Sequence, residues 1–293
     1  MINARALDRL AGPPSRPRRT LRHAVLRNFN VRVGGGIVCG LLALALAAPL
    51  IAGHDPLKLD VNDRLRPPSP AFPMGTDYVG RDVLARVLHG GRLSLLVGAG
   101  VVVLTVIPGT VLGMVAGMAP GTDGWIMRTM DALLALPAIL LAIAIMAAVG
   151  PSVTNVVVAL AVSSTPRMAR LVRGSVLIVR TTSFVEAARA AGAGEAAIMS
   201  RHVLPNIVSP IIIQATFTFS AAILAEAALS FLGVGAPPEV PSWGGILAEG
   251  RTLLAQAPWM TLFPGAAIVL VVLGGNLLGD GLRDVLDPQL RGE

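Results

Sequence analysis

Lysine is almost missing from this chain. Of 24 basic residues in 293, Lys58 is the only lysine, and it sits in DPLKLD. The phosphate-binding pattern GxxxxGK[ST] therefore has nowhere to occur, and the chain is expected neither to bind nor to hydrolyse ATP. No nucleophile–base grouping suggests another chemistry, so no catalytic residue is assigned. Cysteine is as scarce: Cys39 stands alone, which excludes a disulfide scaffold and reads as a small buried apolar residue. Aromatics make up 4% and charged residues 14%, against about 25% charged in an ordinary soluble domain. The basic excess, a net +7, is not interleaved with aromatics, which argues against a nucleic-acid partner. His23, His54, His89 and His202 are scattered without metal-ligand spacing, so no metal or cofactor is expected.

What the chain has in abundance is apolar surface: 54% hydrophobic residues and a mean hydropathy of +0.70. That excludes disorder and points to a polytopic, all-α membrane protein. Six apolar stretches are long enough to consider: Val33 to Ala52, Leu93 to Met118, Ala132 to Val149, Val153 to Thr165, Ile207 to Gly233 and Met260 to Leu278. The first is expected to be an uncleaved span, because its basic lead-in is too long for a signal peptide. Six spans put both termini on one side. Arg5, Arg9, Arg16, Arg18, Arg19, Arg22, Arg27 and Arg32 precede the first stretch, and Arg167, Arg170, Arg173, Arg180, Arg189 and Arg201 lie between the fourth and fifth. The positive-inside rule makes that shared side cytoplasmic. The segment holding Lys58 and Pro67, Pro68, Pro70 and Pro73 then lies outside as an irregular loop. Residues 1–32 read as a flexible basic cytoplasmic arm beside anionic lipid. Residues 33–79 read as the first span with its external loop, 80–281 as the core and 282–293 as a cytoplasmic tail.

The segment Thr181–Asn206, TTSFVEAARAAGAGEAAIMSRHVLPN, is the most informative. Ser183 and Glu186 have capping-box spacing, so a helix is predicted from Ser183, with Phe184, Val185, Ala188 and Ala191 as its apolar face. Gly192 and Gly194 end it, and a second short helix is predicted from Glu195 to Val203, with Pro205 marking the approach to the fifth span. Small residues here would let another protein's backbone come close. The same pattern also fits an interfacial hairpin with no partner.

The residues Glu186-Ala187-Ala188, then Gly192, then Leu204-Pro205, resemble the EAA loop of the membrane subunits of bacterial ABC importers. His202 departs from the usual isoleucine, but RHVLPN from Arg201 to Asn206 is similar to the peptide-transporter branch. Three more stretches resemble the "C"-type dipeptide/oligopeptide/nickel permeases. Met74-Gly75-Thr76-Asp77 with Gly80-Arg81-Asp82 and Arg86 matches FGTDxxGRDxxSR, with Met74 and Ala85 as departures; LSFLG at Leu229–Gly233 precedes SWG at Ser242–Gly244; and the ending spans Asn276 to Arg291. The resemblance runs from about His54 onward. It implies a type I, MetI-like six-span bundle with cytoplasmic coupling helices, placed in the bacterial cytoplasmic membrane. It further implies a paired homologous permease, two ATPase subunits docked on the EAA loop (Glu186, Ala187, Ala188, Gly192, Leu204 and Pro205), an extracytoplasmic substrate-binding protein, and peptide import. A nickel or metal-chelate importer is the rival within the family, and a stand-alone secondary transporter or channel the rival outside it.

Two further features are read from the residues themselves. Glu226, inside the fifth span, must face protein or water, as a pathway or gate residue or as a structural hydrogen-bond partner. Gly109, Gly113 and Gly117 share one helical face and predict close helix packing. Arg128 and Asp131 are expected to anchor the start of the third span.

Overall fold

A computed structural model describes residue 25 and residues 27–119, 121–237 and 239–286. Among these, every regular element is a helix. The order is α1 (Phe29–Leu46), α2 (Ala48–Ile51), α3 (Val83–Met118), α4 (Asp123–Leu134), α5 (Ala138–Val149), α6 (Val153–Val179), α7 (Ser183–Ala190), α8 (Glu195–Ile198), α9 (Leu204–Phe231), α10 (Trp243–Gly250) and α11 (Trp259–Leu286). Most of the basic arm, residues 1–24 and 26, and the last residues, 287–293, lie outside the described residues.

The contacts fix the direction of each helix. Along α3, a Cβ at Gly109 would lie 2.6 Å from Met168, at Gly113 2.5 Å from the Ala169 carbonyl, and at Gly117 2.6 Å from Val176. Contacts advancing together along both sequences mean that α3 and α6 run parallel, their backbones brought close by the expected glycine stripe. Along α9 the order is reversed: Ser94 of α3 meets Glu226, and Gly98 meets Phe219 and Ile223. α11 runs back against α9, with Gly275 at Ser220 and Gly279 at Thr216, and α1 runs against α11, with Gly34 at Gly274 and Val31 at Gly281. Since α3 and α6 point the same way, the chain must cross back between them, and the broken pair α4–α5 makes that return. The bundle therefore has six passes by direction. By length and apolar composition alone, α1, α3, α11 and the continuous helix Glu195–Phe231 qualify as spans, and the α4–α5 pair makes a fifth.

Several sequence expectations change. The third stretch is not one helix: α4 and α5 meet at 89°, with the break at Ala135–Pro137. Pro137 disfavours helical geometry at Leu136, and α5 is left with 12 residues. The fourth stretch continues past Thr165 through Pro166 to Val179. The first helix starts at Phe29 rather than Val33, and the last runs to Leu286, into the segment expected to be a tail. Cys39, on α1, is exposed rather than buried. Asp131 pairs with Arg170 at 2.6 Å, tying α4 to α6.

Candidate functional site

At one end of the bundle α6 leads straight into the hairpin. The C-cap residue Arg180 donates to the Gly117 carbonyl at 2.7 Å, joining the ends of α6 and α3. The expected capping box does not form. Thr182, not Ser183, is the N-cap of α7, its hydroxyl turns back to the Val179 carbonyl, and Glu186 is exposed. At the other end of α7, Gly192 has φ +84°. The Gly192 N–H donates to the Arg189 carbonyl and the Ala193 N–H to the Ala188 carbonyl, which is the Schellman arrangement. Gly194 at φ −68° is then the N-cap of α8.

Val185 and Ile198 are both fully buried, in a cluster with Met114, Met168, Val172, Val176 and Ile207. One face of the hairpin is thus clamped to α3, α6 and α9. The other face shows Glu186, Ala187, Ala190 and Ala191 to the outside. Arg189 donates to Glu195 at 2.9 Å across the turn, and that hydrogen bond raises the Arg189 guanidinium above its ordinary value. The second helix is not separate. Glu195–Ile198 passes through a π-helical turn, Met199–Val203, into α9, with Leu204 and Pro205 in the first turn of α9. Pro205 has no N–H to give and would crowd the carbonyl four residues back, and a widened turn at that point lets the helix continue.

The opposite end carries the GTD/GRD motif as a buried ion cluster. Asp77, fully buried, accepts from the Val79 and Arg81 N–H groups and from both the Arg81 and Arg86 guanidinium groups. Glu249 of α10 completes the cluster, accepting from Arg86 at 2.6 and 2.8 Å and from Arg81 at 2.8 Å. A Cβ on Gly80 would lie 1.8 Å from the Asp60 carbonyl oxygen, so the turn closes only with glycine. Asp82 caps α3 by accepting from the Leu84 N–H and also pairs with His54 at 2.9 Å. Ser242 caps α10, and the Trp243 indole donates to the Val87 carbonyl. The motif segments are structural ties between chain-distant pieces. Glu249 was not singled out in the sequence; its one signal was an acid at the end of an otherwise apolar run.

Glu226 is fully buried. Its carboxylate accepts from Ser94 at 3.2 Å and from Ser230 at 2.9 Å, and Ser94 in turn accepts from the Trp243 N–H. It joins α3, α9 and α10 and does not line the main cavity. That cavity, about 420 Å³, opens between the α4–α5 break, α6 and α9. Its walls are Leu134, Leu136, Ile139, Leu160, Phe217 and alanines, with Ser163, Ser164, Arg167, Gln214 and Thr218 as its polar lining. Of these residues, the sequence drew attention to Arg167 only as a topology signal, not as part of a cavity.

A family described as "Binding-protein-dependent transport system inner membrane component" matches residues 109–292. The chain is 47% identical to the di/tripeptide transport system permease protein DppC of Pseudomonas aeruginosa, over 88% of each chain. It is 45% identical to the dipeptide transport system permease protein DppC of Alkalihalophilus pseudofirmus, over 90% of this chain and 88% of that one. Among solved structures, the inward-facing MetNI methionine ABC transporter superposes with a TM-score of 0.57 at 20% identity, covering 69% of this chain and 96% of that one. At that identity the likeness bears on the fold alone: a MetI-like bundle.

Proposed function

Because the chain belongs to the family of binding-protein-dependent transport system inner membrane components, we propose that it is one of two paired permease subunits of an ATP-driven importer of di- and oligopeptides. It is a transport component, not an enzyme; ATP is hydrolysed in partner subunits. The hairpin end, with both termini, faces the cytoplasm, and the ion-cluster end faces the extracytoplasmic binding protein. Peptide as the cargo rests on the names of the relatives.

The observation that carries this reading is the clamped hairpin. A surface helix that only lay on lipid would have no need of two fully buried anchors, Val185 and Ile198, in the core shared by α3, α6 and α9. With them, a force applied to the exposed face Glu186–Ala191 is passed to three membrane helices at once. Closure of an ATPase dimer against that face supplies the differential contact that moves a bundle between two openings. The test is to purify the assembled complex and measure peptide uptake into proteoliposomes. ATPase subunits should co-purify with the chain, and uptake should require ATP. A chain that purifies without ATPases and still transports would overturn the reading in favour of a stand-alone carrier.

A further inference from the structure

α6 carries a ladder of arginines at three-residue spacing, Arg167, Arg170 and Arg173. Two rungs are neutralised by α4. Arg173 makes two hydrogen bonds to Asp123, and Arg170 pairs with Asp131. The third rung, Arg167, lies farthest from the hairpin along α6, is exposed, and has no ion pair or hydrogen bond among the described residues. It lines the 420 Å³ cavity instead. An unpaired guanidinium on a helix that crosses the membrane needs water or an anion beside it.

We propose that this cavity is a subsite for a carboxylate in passage, with Arg167 as its cation. The inference rests on the importer reading above and names the chemical group that the path recognises. The donors converge. Ser163 and Ser164 lie one turn from Arg167 on the same face of α6. The Ser163 and Thr218 hydroxyls are spent on backbone carbonyls, but Ser164 makes no hydrogen bond among the described residues. Gln214 reaches Thr218 only at 3.5 Å, which leaves its amide hydrogens available. Among the described residues no aspartate or glutamate lines the cavity, so no anion there pairs with an ammonium group. The other walls are aliphatic or aromatic and tolerate unlike side chains. The volume falls in the usual range of about 300–1,000 Å³ for small-molecule sites. A short peptide with a free carboxyl terminus matches all three: anionic end, variable apolar body and size. An acid from the paired permease is the competing partner for Arg167, but the polar groups lie on a concave wall rather than a flat face.

The experiment uses the whole complex with Arg167→Gln and Arg167→Lys. Two readouts are taken: dialanine uptake with ATP hydrolysis, and saturation-transfer NMR of dialanine against its carboxamide on the complex without its binding protein. The wild type should bind dialanine in preference to the amide. Arg167→Gln should lose that preference and reduce uptake roughly ten-fold or more, as expected for a lost charge-assisted bond, while stimulated ATP hydrolysis persists. Arg167→Lys should restore part of both. Uptake and preference unchanged in Arg167→Gln would overturn the subsite alone. Loss of the partner permease from purified Arg167→Gln would also overturn it, making Arg167 an interface cation. A wild-type chain that purifies without ATPases would overturn the importer reading itself.

Discussion

A side chain at Gly192 would meet no atom within 4 Å, yet the backbone there has φ +84°. Strain at that position comes from the torsion alone, on the order of 1–3 kcal/mol. Gly192→Val should therefore leave insertion and pairing intact while tilting α8 away from α7, lowering ATPase co-purification and uptake. Gly194, also in open space but at φ −68°, provides the control: Gly194→Ala should behave as wild type. Full transport by Gly192→Val at normal expression would show that the hairpin does not transmit force. Glu186→Ala is expected to change helix stability by less than about 0.5 kcal/mol, because Glu186 is exposed and closes no cap. At the other end of the molecule, Glu249→Ala removes the partner that Arg86 binds through two nitrogens, and the Arg86 side chain is 2% exposed. Stranding one member of a buried pair costs about 3–5 kcal/mol, so the variant should melt well below wild type in detergent. An unchanged melting temperature would mean that Asp77 alone satisfies Arg86.

Helix pairing in this bundle depends on glycine in one place and is indifferent to it in another. Gly113 faces the Ala169 carbonyl, a backbone atom that cannot rotate away, whereas Gly36 on α1 has nothing within 4 Å. Gly113→Ala should force α3 from α6 and cost about 1–3 kcal/mol, the usual range for overpacking. Gly36→Ala should be neutral or slightly stabilising, since it only removes a poor helix former. Thermal unfolding of the two variants checks the ordering, and equal melting temperatures would mean that the stripe does not set the α3–α6 distance. This stripe was legible in the sequence because spacing by four is a property of one helix. So was the turn at Gly192. The break at Pro137 was not: Pro108, Pro166, Pro210 and Pro264 all sit inside continuous helices. The ring is the same in every case, and neighbouring helices decide whether it bends or ends the segment. The π-helical turn before Pro205 was hidden for the same reason. The cavity was invisible because Ser163 and Gln214 are 51 positions apart and meet only through packing.

At the scale of the whole molecule, the two ends differ in what they expose. Lys58 is exposed at the ion-cluster end, and Arg189 and Arg201 are exposed at the hairpin end. In intact cells, an impermeant amine reagent should modify Lys58, located by mass spectrometry. Cysteines placed at Arg189 or Arg201 should resist an impermeant thiol reagent until the membrane is opened. Because Cys39 is itself exposed on α1, these variants need a Cys39→Ser background. The reverse labelling pattern would turn the molecule over in the membrane and place the hairpin out of reach of any ATPase.

The shortness of α5 bears on how such a chain enters the membrane during synthesis. Twelve residues of helix rise about 18 Å, well short of a hydrocarbon layer of about 30 Å. The next helix, α6, is long enough but brings Arg167, Arg170 and Arg173 with it. Neither helix is at once full-length and free of charge. α3 emerges first, apolar from Leu93 onward and grooved by Gly109, Gly113 and Gly117 to receive α6, while Asp123 and Asp131 of α4 neutralise two of the arginines. The segment from α4 to α6 is therefore expected to insert as one unit, with α6 seated in the groove on α3 and tied to α4 by its ion pairs.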